Sequence, residues 1–105
     1  MLAFMSMLVG LPQKDNRPKV EAVIENHIVT GLVDTGSEVT AVSWNWFLRH
    51  SSRPKLTPTN IIIRTANRNS VHIKGVWKTI ITIEGVEIKV DLVVIDGLSQ
   101  DLIWE

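Results

Sequence analysis

The chain is expected to be all-β, a small closed or sandwich-like barrel, on three observations. Val86, Ile88, Val90, Leu92 and Val94 keep a period of two over nine residues, the spacing of a strand with one buried face. Other short β-prone runs recur between turn residues, and no heptad, internal repeat or long amphipathic helix interrupts them. At 105 residues with 45% apolar side chains, the chain holds one packed domain with a single core and has no room for a two-lobed enzyme.

The elements follow in order. Met1 to Leu11 is apolar, but it has no basic leader or small-residue cleavage site and is too short to span a bilayer, so it is not expected to act as a signal peptide. Residues 1–16 are an N-terminal extension, and the domain occupies 17–105. Lys19 to Ile24 places Val20, Ala22 and Ile24 on one parity, Glu25-Asn26-His27 turns the chain, and Ile28 to Val33 returns as a strand that delivers Asp34 at its end. From Glu38 to Leu48 the pattern fits either a strand or a short helical turn, with Trp44, Trp46 and Phe47 as core or interface residues. Arg49 to Thr59, with Pro54 and Pro58, is a loop. Ile61 to Thr65 and Val71-His72-Ile73 flank the polar stretch Ala66 to Ser70 as a hairpin. Thr79, Ile81 and Ile83 alternate up to Glu84-Gly85, the long alternating strand follows, Asp96-Gly97 turns, and Leu102-Ile103 begins a last apolar element.

Composition excludes several functions. Eleven basic and eleven acidic residues leave no electrostatic footprint for nucleic acid or an anionic membrane. The absence of cysteine removes disulfides, thiolate metal sites and a Cys nucleophile. His27, His50 and His72 lack ligand spacing and are expected as surface or loop residues, with no metal and no cofactor.

The chemistry-bearing stretch is Asp34-Thr35-Gly36-Ser37, between Leu32-Val33 and Val39. Acid-catalysed hydrolysis by carboxylates needs two of them a few ångströms apart, one ionised to take a proton from water and one protonated to polarise a carbonyl; crowding splits their titration so that the pair holds one proton. Asp15, Asp91, Asp96 and Asp101 have no comparable setting, so the second carboxylate must come from another copy. In that reading Asp34 supplies the carboxylate, and Thr35 offers a hydroxyl for a bond across a twofold axis. Gly36 lets the main chain approach closely with its N–H free for the carboxylate, and Ser37 offers a hydroxyl for the outer oxygen of Asp34. Asp-Thr-Gly is also good turn chemistry, and an Asp ending a strand often accepts local N–H groups without further function. Four specified residues arise by chance in a chain of this length on the order of once in a thousand.

With that tetrapeptide after two paired strands, then a loop, a polar-tipped hairpin, and a long hairpin ending in an apolar pair, the chain resembles the retropepsins, in particular proteases of gypsy-type LTR retrotransposons and related retroviral elements. The resemblance implies a closed barrel with one half-site per chain, Asp34 as the catalytic aspartate, Thr35 and Gly36 as the dimer grip, and Ser37 and Glu38 facing substrate backbone. It implies that Thr65 to Ile73, tipped by Ala66, Asn67, Arg68, Asn69 and Ser70, is a flap over a bound peptide, and that Leu98 and Leu102 belong to a substrate wall. Trp104 stands where the family keeps a glycine, which implies a rearranged neighbourhood. The family's following helix and terminal strand have no counterpart before Glu105. The sequence is then either a piece of a longer polyprotein, or a dimer held by something else, with Met1 to Val9 the candidate. The implied function is a homodimeric aspartic endopeptidase acting on extended peptides in its own polyprotein, in the cytoplasm or a virus-like particle, without cofactor, nucleic acid or membrane. The alternative is a retropepsin-like dimerisation or peptide-binding module without activity.

Overall fold

A computed structural model of the chain describes residues 2–5, 17–65 and 71–105. Leu2–Met5 forms β1, Lys19–Ile24 β2, His27–Val33 β3, Ala41–Ser43 β4, Trp44–His50 α1, Ile62–Thr65 β5, His72–Ile83 β6, Val86–Asp96 β7 and Leu102–Trp104 β8. Six strands close into a barrel in the order β2-β3-β8-β4-β7-β6, with β6 returning to β2 through Ala22 opposite Ile83 and Val23 opposite Thr82. The β3–β8 and β4–β7 pairs are parallel and the other barrel pairs antiparallel.

Two tight turns set the hairpin registers. Glu25 and Asn26 have φ of 50° and 65°, and Ile24 lies opposite His27, so the turn takes two residues and His27 already belongs to β3. Glu84 and Gly85, with φ of 51° and 76°, repeat the device between Ile83 and Val86. Two left-handed central residues give a primed turn whose twist matches that of the strands it joins.

The ambiguous stretch after the tetrapeptide contains both forms. Three residues of strand end at Ser43, whose hydroxyl accepts the Trp46 N–H at 3.0 Å and caps α1. Ser51 closes the other end, its N–H and hydroxyl both donating to the Phe47 carbonyl, while Arg49 in the last turn places a cation at the negative end of the helix dipole. The helix buries Trp46 and Phe47, and Phe47 meets Trp77 edge-on with centroids 5.1 Å apart.

The core is two clusters on opposite faces of the strands. Leu92 and Val94 of β7 join Val42, Phe47, Trp77 and Leu102, while Val93 and Ile95 join Leu32, Val39, Ala41, Ile63 and Ile103. The outer half of β7 alternates with solvent as its sequence predicts, but Leu92 through Ile95 are buried on both faces. His72-Ile73 and Thr79–Ile83 merge into the single strand β6, with a register shift between Ile73 and Gly75. There Thr57 bridges Val76 with both N···O distances 2.8 Å, and a Cβ on Gly75 would lie 2.8 Å from Leu56 Cβ.

One pairing goes beyond the expected hairpin. Among the described residues, β5 meets Val71, just before β6, through the Val71 N–H on the Ile63 carbonyl at 3.3 Å, and it also forms a parallel ladder with β1, from Leu2 opposite Ile62 to Met5 opposite Thr65. Local β-propensity marks both segments as strands and carries no information on which distant segment pairs with which. The proposed flap tip, Ala66, Asn67, Arg68, Asn69 and Ser70, lies outside the described residues.

Candidate active site

Asp34 follows the last residue of β3. Its N–H donates to the Trp104 carbonyl at 2.8 Å, so β8 holds the strand end on one side, and the Val33 N–H donates to Pro18 at 2.8 Å on the other. The chain then turns at once, with the Ser37 N–H on the Asp34 carbonyl at 3.1 Å. The turn folds the Gly36 N–H back onto Asp34 Oδ1 at 3.0 Å. The Asp34 side chain is 2% exposed, while Asp91, Asp96 and Asp101 are exposed. A carboxylate withdrawn from water to this degree needs donors or a counter-charge. Gly36 provides the first, and the second is the Arg17 guanidinium, with Nη1 3.5 Å from Oδ2.

Thr35 and Gly36 are exposed at the tip of the turn. Ser37 is buried, and its hydroxyl does not reach the outer oxygen of Asp34: it donates to the Val39 carbonyl at 2.7 Å and accepts the Val39 N–H at 3.3 Å. A side-chain oxygen two residues before an N–H closes a local turn, and that geometry takes precedence here. The outer oxygen faces Arg17 instead.

Glu38 is exposed and borders a groove of about 370 Å³ with Thr57, Ile61, Val76, Asp91 and Glu105. Leu98 is half-buried and packs on the Leu32–Val39 cluster. Leu102, expected on a substrate wall, is fully buried in the core with Val29, Val42 and Leu92, because the parallel β3–β8 register sets it directly over Gly31. The Trp104 indole is partly buried against the core cluster that contains Leu102, and its carbonyl is the acceptor for Asp34.

Sequence reasoning missed Arg17, taking it only as the start of the domain. A signal for it exists. Every β2–β3 pair, from Ile24 and His27 out to Lys19 and Leu32, is equidistant from the Glu25-Asn26 turn, and two further steps of that register set Arg17 opposite Asp34. His27 and His50, remote in sequence, meet with ring centroids 5.4 Å apart, and Trp46 lies 5.1 Å from His50. Among the described residues no group of three or more His, Cys, Asp or Glu side chains is arranged to hold a metal ion.

No protein-family model and no curated protein matches the chain. Solved structures do. The retroviral protease-like domain of Ddi1 from Leishmania major superposes with a TM-score of 0.65 at 19% identity, covering 85% of this chain and 69% of that one. The simian foamy virus protease superposes with a TM-score of 0.52 at 18% identity, covering 84% and 87%. At these identities the likeness is one of fold: the chain has the closed-barrel, retroviral protease-like fold.

Proposed function

We propose that this chain is one half of an aspartic endopeptidase, active as a homodimer on extended peptide segments of the polyprotein that encodes it. The observation that carries the reading is the Asp34 carboxylate, buried at the end of a barrel strand and held by the Gly36 N–H in an Asp-Thr-Gly-Ser turn. A single carboxylate cannot be both base and acid in one step. Two copies meeting at the exposed Thr35-Gly36 tips would bring two Asp34 side chains together, where mutual repulsion makes the pair share one proton.

The ionised carboxylate then takes a proton from water as the water oxygen attacks the scissile carbonyl carbon, and the protonated one gives its proton to the carbonyl oxygen. Collapse of the tetrahedral species breaks the C–N bond: the carboxyl that took its proton from water passes it to the leaving nitrogen, and the hydroxyl formed from the carbonyl oxygen returns its proton to the other carboxylate, so the pair again holds one. Water is the nucleophile, so no acyl-enzyme accumulates. The Gly36 N–H on Oδ1 keeps each carboxylate oriented through the cycle.

Asp34→Asn keeps the shape of the side chain and removes its basicity, so peptide hydrolysis should be abolished while the barrel persists. Hydrolysis that survives Asp34→Asn refutes the assignment. In the unsubstituted protein, activity should rise faster than linearly with concentration as copies associate. A non-catalytic binding module is the second reading, and the observation that favours it is the Arg17 guanidinium 3.5 Å from Oδ2, which gives Asp34 an ion-pair partner within its own chain. Under that reading no concentration yields hydrolysis.

A further inference from the structure

His27 and His50 show no ligand spacing in the sequence, yet the fold brings them together from different elements, with ring centroids 5.4 Å apart and ring planes inclined at 50°. Both positions are braced. His27 opens β3 directly after the Glu25-Asn26 turn, and His50 ends α1, where Ser51 closes the helix. A clasp ties the two elements to each other: one oxygen of the Glu25 carboxylate accepts the Ser52 N–H and the other the Ser52 hydroxyl, both at 2.8 Å. Buried Trp46 packs against His50 with centroids 5.1 Å apart, which limits how that imidazole can move.

The separation of the two rings has a chemical meaning. An imidazole nitrogen binds zinc at about 2.0–2.1 Å, which places the metal about 3.2 Å from the ring centroid. Two such rings on one tetrahedral ion stand about 5.2 Å apart, centroid to centroid. The 5.4 Å between His27 and His50 is close to that value. His27 is exposed and His50 half-buried, so water can reach an ion there and fill the positions that two protein ligands leave. The neighbouring charges favour a cation. The Glu25 carboxylate lies two residues from His27, whereas the guanidiniums that follow and precede the helix end are engaged elsewhere, Arg53 on the Leu48 carbonyl at 3.0 and 2.9 Å and Arg49 3.9 Å from Asp101.

We propose that His27 and His50 form a two-imidazole site for a borderline-soft divalent cation, with Zn²⁺ as its type, and that the bound ion pins the end of α1 to the β2–β3 turn. With two protein ligands the site is exchangeable, filling when the ion is in supply and yielding it to a stronger chelator. It lies at the opposite end of β3 from Asp34, so metal binding and peptide hydrolysis are separate properties of the chain.

The test is calorimetric titration of Zn²⁺ into the full, untagged chain at about pH 7.5, where imidazole is largely neutral and able to ligate. One ion per chain is expected, with a melting temperature that rises as Zn²⁺ is added. His27→Gln, at an exposed position, should weaken binding at least about tenfold and remove the thermal shift while the circular dichroism spectrum stays unchanged. His50→Gln should weaken it to the same degree. His72→Gln removes an imidazole that instead faces Asp96 at 3.8 Å, and it should bind Zn²⁺ as the unsubstituted protein does. No binding at millimolar Zn²⁺, undiminished binding by either His27→Gln or His50→Gln, or an equal loss in His72→Gln overturns the proposal.

Discussion

Gly31→Ala tests how tightly β8 is pressed against β3, and two opposing effects decide its sign. Gly31 lies opposite Leu102 in the parallel register, and a Cβ there would stand 2.8 Å from Leu102 Cδ2, 2.9 Å from Cγ and 3.1 Å from Cβ. Replacing glycine by alanine in ordinary strand backbone restricts the unfolded chain and stabilises by about 0.4–1 kcal/mol. Against this, carbon atoms prefer separations of about 3.5–4.0 Å, and overpacking a filled core costs about 1–3 kcal/mol. Leu102 is fully buried, and the contact involves the root of its side chain as well as the tip, so rotation of the leucine alone does not relieve it. Steric cost therefore wins, by about 1–2 kcal/mol net. At about 4–8 °C per kcal/mol for a domain near this size, the Tm should fall by roughly 4–16 °C in calorimetry or thermal circular dichroism. An unchanged or raised Tm refutes the reasoning. The same substitution made in a Leu102→Ala background should cost much less, since the 2.8 and 2.9 Å contacts go and only the 3.1 Å contact with the retained Cβ stays, and an undiminished penalty there would place its cause elsewhere.

Ser43→Ala removes the cap from α1 and should cost about 1 kcal/mol, read as a lower urea midpoint with an unchanged slope. Gly75→Ala should cost at least about 2 kcal/mol, because φ is +146° and Leu56 Cβ and the Thr57 carbonyl lie 2.8 and 3.1 Å from the new carbon; hydrogen exchange at Val76 should accelerate as its bridge to Thr57 loosens. Glu84→Asn places a residue tolerant of left-handed backbone at φ 51° in an exposed turn and should raise stability by about 0.5 kcal/mol, measured as a higher Tm.

The parts legible in advance are those governed by neighbours in sequence. Val20, Ala22 and Ile24 alternate because one face of β2 is covered, and Glu84-Gly85 turns because glycine accepts positive φ at little cost. Asp34-Thr35-Gly36-Ser37 stood out as a rare tetrapeptide whose N–H and carboxylate lie within one turn, and the Gly36 bond to Asp34 is a contact of that kind. What stayed hidden depends on partners far along the chain. Arg17 reaches Asp34 only after a hairpin register is known, Leu102 is buried because of a glycine seventy-one positions earlier, and β1 finds β5 by pairing that apolar composition does not specify. Ser37 misled for the opposite reason: its nearest acceptor, the Val39 carbonyl, outcompeted the carboxylate that function would have chosen for it. Leu92 through Ile95 look like ordinary alternation continued, although they are buried on both faces.

The insertion of β8 between β3 and β4 also imposes an order on folding. The acceptor for the Asp34 N–H is the carbonyl of Trp104, so until β8 docks, the loop carrying the acid lacks its brace. Pairings of such long separation form late. The turn at Asp34 thus gains its brace only when Leu102–Trp104 slots in beside β3, which makes closure of the barrel and positioning of the carboxylate a single event.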